Sequence, residues 1–171
     1  DNKKHPRIEY FNLFFFKLVY YTLFLVLPMI FINAAWWQVL LGFLVLHFCE
    51  GITMAVIFML AHVVEETDFP LPDERGNIHN SWAVHQLYTT ADFGRGNDIL
   101  NFFCGGLNFQ VEHHLYPRIC HVHYKAISNI VEKTAEEYHL RYNANPSFRG
   151  AILSHIRLLK RLGRKESIVL A

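Results

Sequence analysis

The sequence predicts an all-α integral membrane protein: a transmembrane helical hairpin over residues 1–62, followed by a helical cytoplasmic cap over residues 63–171. Two observations carry this prediction. Residues 11–32 and 36–62 are long apolar runs separated only by a short turn, and Lys17 is the one charge in the first of them. Charged residues and helix-period apolar patterns crowd into the remainder.

The first run, FNLFFFKLVYYTLFLVLPMIFI, reaches about 33 Å as a helix, enough to cross a hydrocarbon core of about 30 Å. Lys17 near its start can snorkel toward headgroups, and Pro28 should kink its far end. Asn33, Ala34 and Ala35 make the turn, and Trp36 and Trp37 stand where an aromatic belt would stand. The second run, WWQVLLGFLVLHFCEGITMAVIFMLAH, is long enough to return. A buried hairpin inside a soluble protein is the alternative, but paired apolar runs of this length are rare there. Lys3, Lys4 and Arg7 precede the first run while the turn is uncharged, so both ends of the hairpin, and the cap, are expected on the cytoplasmic side.

Within the cap, residues 63–81 read as a loop, rich in Glu65, Glu66, Asp68, Asp73 and Glu74 and broken by Pro70, Pro72 and Gly76. Residues 82–93 read as mixed and partly helical. Asn97 caps a helix running to about Cys104, before Gly105-Gly106. Residues 123–139 form an amphipathic helix with Ile127, Ile130, Val131 and Tyr138 on one face. Residues 150–163 form a last helix with Ile152, Ile156 and Leu159 on one face and a basic end of Arg157, Lys160, Arg161, Arg164 and Lys165. That end is either a solvated helix terminus or a helix lying on anionic lipid. Cys49, Cys104 and Cys120 show no disulfide framework, which fits a reducing compartment. A net charge of +1 gives no electrostatic case for nucleic acid. The start, DNKKHPRIEY, has neither Met nor a signal-peptide pattern, which reads as a piece of a longer protein.

Eleven histidines need a reason. In Gln110-Val111-Glu112-His113-His114 on a helix, positions 110, 113 and 114 share a face, so nitrogen- and oxygen-bearing side chains converge. Adjacent His113 and His114 can also splay to bind neighbouring metals. His62, where the second span meets the cytoplasm, is the second candidate ligand, and His85 a third candidate, either a ligand or a supporting group. A zinc site of Cys104, Cys120, His121 and His123 matches no familiar ligand spacing. His5, His79, His139 and His155 are expected to be exposed and structural. His47 and Glu50 lie mid-span on one face, about 22 Å along the axis from His62, so they cannot share its metal. They form either a mutually hydrogen-bonded pair or the polar wall of a substrate tunnel. Arg95, Arg118 and Lys125 are candidate contacts for an anionic headgroup or CoA.

NFQVEHHLYP resembles the third histidine box, QxxHH, of front-end fatty acid desaturases. AHVVEETDFP, WAVHQLYTTADF, CGGLNFQVEHHLYPRICHVHY and SHIRLLKRLG resemble, in order, bacterial acyl-CoA (linoleoyl-CoA-type) desaturases. That family has four spans in two hairpins and a cytoplasmic cap holding two irons. The resemblance implies that His113, His114 and His62 are iron ligands, that Gln110 stands where other desaturases have His, and that the hairpin here is spans three and four. The HxxxH and HxxHH boxes and a haem-binding HPGG segment are absent, so the chain reads as the family's carboxyl-terminal portion, half of a four-span fold. The implied activity is O2-dependent insertion of a double bond into the acyl chain of an acyl-CoA or phospholipid. Ferredoxin or a b-type cytochrome would be the electron donor and membrane lipid the surroundings. A related di-iron hydroxylase or conjugase, or a non-catalytic membrane anchor, are the competing readings.

Overall fold

The structure, a computed structural model, describes residues 5–164. Lys3, Lys4 and Lys165, invoked above for orientation and for the basic helix end, lie outside the described residues. The chain divides into two compact units, Asp1–Thr53 and Met54–Ala171.

In the first unit, α1 (Arg7–Tyr21) starts earlier than the apolar run suggests, directly after Pro6, whose extended backbone admits the helix and whose carbonyl accepts the Glu9 N–H. It continues through a π-helical turn, Thr22–Val26, into α2 (Leu27–Phe31). This turn is the structure's answer to Pro28. A proline has no N–H to give, and its ring clashes with the carbonyl four residues back. The wider turn, closed by Leu27 N–H on the Thr22 carbonyl, relieves both, and the expected disturbance sits just before the proline. Ile32 leaves the helix at φ −89° and ψ 129°. The Ala35 N–H donates to Gln38 Oε1 at 2.8 Å, opening α3 (Trp36–His62). The helices Arg7–Phe31 and Trp36–His62 are each long and apolar enough to cross a membrane. Their large apolar side chains, Phe14, Phe16, Phe31, Trp36 and Phe48 among them, are exposed. Inside this unit the Tyr20 O–H donates to His47 Nε2 at 2.6 Å, and His47 Nδ1 lies 3.2 Å from Glu50 Oε2. His47 and Glu50 thus lie within ion-pair distance of each other, and Tyr20 is a hydrogen-bond partner of His47 that sequence did not supply.

The second unit begins with the final turns of α3 and has two cores. In the first, Ile57, Leu60 and Ala61 of α3 pack with Phe93, Cys104 and Ala151. In the second, Leu87, Val111, Val131 and Ala135 pack together. The residues read as a mixed stretch resolve into α4 (Trp82–Thr89) and a two-residue strand β1 (Asp92–Phe93). β1 pairs in parallel with β2 (Ala144–Asn145), Asp92 opposite Ala144 and Phe93 opposite Asn145. Two residues are too few to show a period-2 pattern, so this pair was invisible in sequence. Asn143 Nδ2 donates to the Leu87 and Thr90 carbonyls at 3.1 Å each, satisfying acceptors that the end of α4 leaves free. α5 (Asp98–Cys104) has the expected Asn97 cap, which accepts the Leu100 N–H, and ends on left-handed Gly105. Gly106 follows at φ +80°, and a Cβ there would stand 2.6 Å from the His121 Cβ, so this turn requires glycine on both counts.

α6 (Gln110–Leu115) carries the histidine pair. A short 3-10 turn, His121–His123, leads into α7 (Tyr124–Glu137). α7 buries Tyr124, Ser128, Val131 and Ala135, whereas Ile130 and Tyr138, expected on the apolar face, are exposed. α8 (Phe148–Gly163) starts slightly before the expected residue 150 because Ser147 Oγ accepts the Gly150 N–H. It buries Ala151, Ser154 and Leu158, and the anticipated stripe leaves Ile156 and Leu159 uncovered. The acidic loop after α3 is tied to α8. Glu66 Oε2 accepts from Ser154 Oγ at 2.7 Å, Ser154 Oγ accepts the Glu65 N–H at 2.8 Å, and the His155 Nδ1–H donates to the Val63 carbonyl at 2.6 Å. His155 is therefore half-buried and structural, while His5, His79 and His139 are exposed.

Candidate metal centre

His62, at the end of α3, and α6 come together. Gln110 Nε2 lies 3.1 Å from His62 Nε2, the His62 and His114 ring centroids are 5.0 Å apart, and those of His113 and His114 are 5.8 Å apart. Each imidazole is held at Nδ1 by a different partner. His62 donates to the Thr89 carbonyl at 3.4 Å, His114 donates to Gln86 Oε1 at 2.8 Å, and His113 Nδ1 lies 3.4 Å from Tyr124 Oη. Donation from Nδ1 fixes the tautomer that leaves a lone pair on Nε2, as in histidine metal ligands generally. Burial first, then the neighbouring His62 and His113, push the His114 imidazole down to about 4, so it is neutral at physiological pH, the form a metal ligand needs.

Two further donors are buried and unmatched: Gln110 Oε1 and His85 Nδ1 have no hydrogen-bond partner among the described residues. Such orphans are costly in an interior and call for a partner. Imidazole nitrogens are donors that suit iron, copper and zinc alike. The residues fit part of a metal centre. No three His, Cys, Asp or Glu among the described residues group closely enough to hold a metal by themselves.

α6 is only six residues long and cannot fix its own orientation. A buried polar clamp does this. Asp92 Oδ1 accepts the Val111 N–H at 3.0 Å, and the Tyr142 O–H donates to Asp92 Oδ2 at 2.6 Å. Glu112 Oε1 lies 2.9 Å from the same phenol oxygen. One phenolic proton cannot serve two carboxylates, so the second contact needs Glu112 to be the donor, as a neutral acid. Burial first, then the Asp92 charge, raises the Glu112 carboxyl above the usual carboxylate range. Burial also raises Asp92, opposed by the hydrogen bonds from Tyr142 and the Val111 N–H. The Arg95 guanidinium lies over the Tyr142 ring, 5.1 Å from its centroid, and donates to Glu132 Oε2 at 2.8 Å.

The other candidates fare differently. Arg95 is committed to Glu132 and Tyr142, Lys125 pairs with Asp98, and Arg118 is exposed in the turn after α6. Cys104 is buried in the first core, where burial raises its thiol and disfavours the thiolate that zinc requires. His121 and His123 are exposed, with His121 Nδ1 4.0 Å from Cys120 Sγ. Gln86, Thr89, Asp92, Tyr124 and Tyr142 were not anticipated. The available signal was that Gln86, Thr89 and Asp92 fall inside the WAVHQLYTTADF segment and that Tyr124 ends CGGLNFQVEHHLYPRICHVHY.

An apolar helical pair and an anchored histidine cluster at the end of a candidate span are the two features that mark this chain. Comparison with known proteins makes this specific: residues 3–146 match the fatty acid desaturase family, and the chain belongs to it. It is 46% identical over 128 residues, 74% of this chain and 36% of the relative, to the sn-1 linoleoyl-lipid 6-desaturase of Synechocystis. It is 36% identical over 155 residues to the enzyme of the same name from Arthrospira platensis, covering 91% of this chain and 42% of the relative. Over 157 residues it is 40% identical to an acyl-lipid (8-3)-desaturase of Physcomitrium patens, covering 91% of this chain and 32% of the relative. The chain thus spans between 32% and 42% of the length of these relatives. No solved structure matches it.

Proposed function

We propose that this chain is the carboxyl-terminal portion of a di-iron, O2-dependent desaturase that inserts a double bond into the acyl chain of a membrane lipid. The observation that carries the reading is the convergence of His62, Gln110, His113 and His114, with the imidazoles tethered at Nδ1 and those of His62 and His114 left with a lone pair on Nε2. His62, His113 and His114 would hold iron, with Gln110 and His85 as additional donors. When bound, the irons supply the O2-dependent removal of two hydrogens from a carbon pair that no acid or base in the protein could activate, with electrons from ferredoxin or a b-type cytochrome.

The chain's own residues position and protect. Thr89, Gln86 and Tyr124 orient the imidazoles, and the Asp92–Tyr142–Glu112 clamp fixes the helix that bears two of them. The cluster sits at the cytoplasmic end of α3, within reach of a substrate confined to the bilayer. The relatives' names, linoleoyl-lipid and acyl-lipid desaturase, favour a lipid-bound chain over acyl-CoA. A bond at position 6 of a linoleoyl chain lies between the carboxyl end and the bonds already there, and this supports the front-end position inferred from QxxHH. The test is to express the complete gene in a host that makes no trienes and feed linoleate. A triene appearing first in the lipid fraction is expected. Conversion of saturated chains alone, or a hydroxylated product, rejects the assignment.

A further inference from the structure

We propose that α5 and α8 form a lipid-docking surface that lays the second unit on the membrane face, with the cations of α8 on anionic phospholipid headgroups. The inference needs α3 to be a span, but it does not depend on iron or on desaturation.

α5 is buried on one side and bare on the other. Leu100 and Cys104 pack into the first core, while Ile99, Phe102 and Phe103 are 72%, 81% and 78% exposed. At about 100° per residue, these three share a single face of the helix. A large, contiguous apolar face on a soluble surface marks a contact site. α8 shows the same division: Ala151, Ser154 and Leu158 pack inward, and Leu153, Ile156 and Leu159 are exposed. Beside that apolar band stand the exposed Lys160 and Arg164, with Arg157 exposed and 3.3 Å from Glu65 Oε2. An apolar stripe flanked by cations is the pattern of a helix lying in a headgroup layer.

What covers these faces follows from where the helices are fixed. The core that anchors both consists of Ile57, Leu60 and Ala61 of α3 with Phe93, Cys104 and Ala151. α3 has 27 residues, about 40 Å at 1.5 Å per residue, whereas a hydrocarbon core takes up about 30 Å. Its last turns therefore emerge at headgroup level, and α5 and α8 are held against those turns. Lipid is the occupant continuous with the span. A soluble protein partner would have to compete with the bilayer for the same faces.

The experiment uses the full-length protein in bilayers of phosphatidylcholine with phosphatidylglycerol, with Cys49 and Cys120 replaced by alanine. A nitroxide is placed on Phe102→Cys, Phe103→Cys or Leu159→Cys, on Phe48→Cys as the mid-span reference, and on Lys133→Cys of α7 as the aqueous reference. Collision with O2, which concentrates in lipid, is compared with collision with a water-soluble nickel chelate. Positions 102, 103 and 159 should resemble position 48, with O2 dominating several-fold, and position 133 should show the reverse. Nickel dominating at 102 and 103 would place the face in water, and shielding from both reagents would place it under protein; either overturns the proposal. Nickel dominating at position 48 as well overturns the span itself. Removing phosphatidylglycerol, or introducing Lys160→Gln with Arg164→Gln, should lower the O2 preference at position 159. No change would overturn the headgroup assignment.

Discussion

Tyr142 faces two buried carboxylates with one proton to give, and this fixes what substitutions there do. Tyr142→Phe removes the donor to Asp92 Oδ2 and the acceptor for Glu112 together, leaving Asp92 with only the Val111 N–H and Glu112 without the phenol. It should cost about 1–3 kcal/mol in denaturant unfolding of the detergent-solubilised protein. Glu112→Gln keeps a donor aimed at the phenol oxygen and should stay within about 1 kcal/mol of the parent at neutral pH. The two also differ in pH response. A carboxyl raised in the fold keeps its proton after the unfolded one has lost it, so its stabilisation is complete below the ordinary value of 4.5 and declines as pH rises. Glu112→Gln should flatten that decline; an unchanged slope would mean that Glu112 is already ionised. At Arg118, exposed beside α6, Arg118→Glu in the complete enzyme should raise KM more than it lowers kcat, because a headgroup contact lies far from the reacting carbons. An unchanged KM would remove Arg118 from substrate handling. Sequence alone singled out His62, Gln110, His113 and His114, which the fold brings close together, because metal-ligand chemistry leaves few residue types to choose from. It could not find Tyr142, Gln86 or Thr89. Any tyrosine, glutamine or carbonyl can fill such a supporting role, and only the path of the chain decides which one does.

At the level of elements, the helix ends were the most legible feature. Asn97 and Gly105 act through local backbone rules and appear where expected. The faces of α7 and α8 were less legible. Periodicity identifies an apolar stripe but does not say whether protein or lipid covers it, and a small buried residue such as Ser154 carries no hydropathic signal. α7 closes with His139 in the left-handed region at φ 55°, the Leu140 N–H reaching the Ala135 carbonyl at 2.8 Å. Glycine is the residue this closure favours. His139→Gly should stabilise the protein by about 0.5–1 kcal/mol in the same unfolding assay. A loss of stability would show that the exposed imidazole makes a contact worth more than the strain.

For the whole molecule, ligand number is the governing quantity. His62, His113 and His114, even with Gln110 and His85, are too few for two irons of four to six ligands each. On the proposed di-iron reading, the 171-residue chain purified alone should therefore bind well under two irons and rise toward two when co-expressed with the remainder of the proposed desaturase. Two irons on the chain alone would mean that His79, His121 or His123 had been wrongly set aside. A cysteine at Ala34, with Cys49 and Cys120 removed, should react only with reagent added outside the cell; labelling from within would reverse the hairpin. The clamp also has a consequence for synthesis. Tyr142 follows Glu112 by 30 residues, and Asp92 by 50. At about 5–20 residues per second, the ribosome makes the histidine pair some seconds before it makes the tyrosine that holds them in place. A nascent chain stopped short of residue 142 would keep the Gln86, Tyr124 and Asp92 contacts of this segment but lack the phenol between Asp92 and Glu112, so the clamp can be completed only after that stretch has been translated.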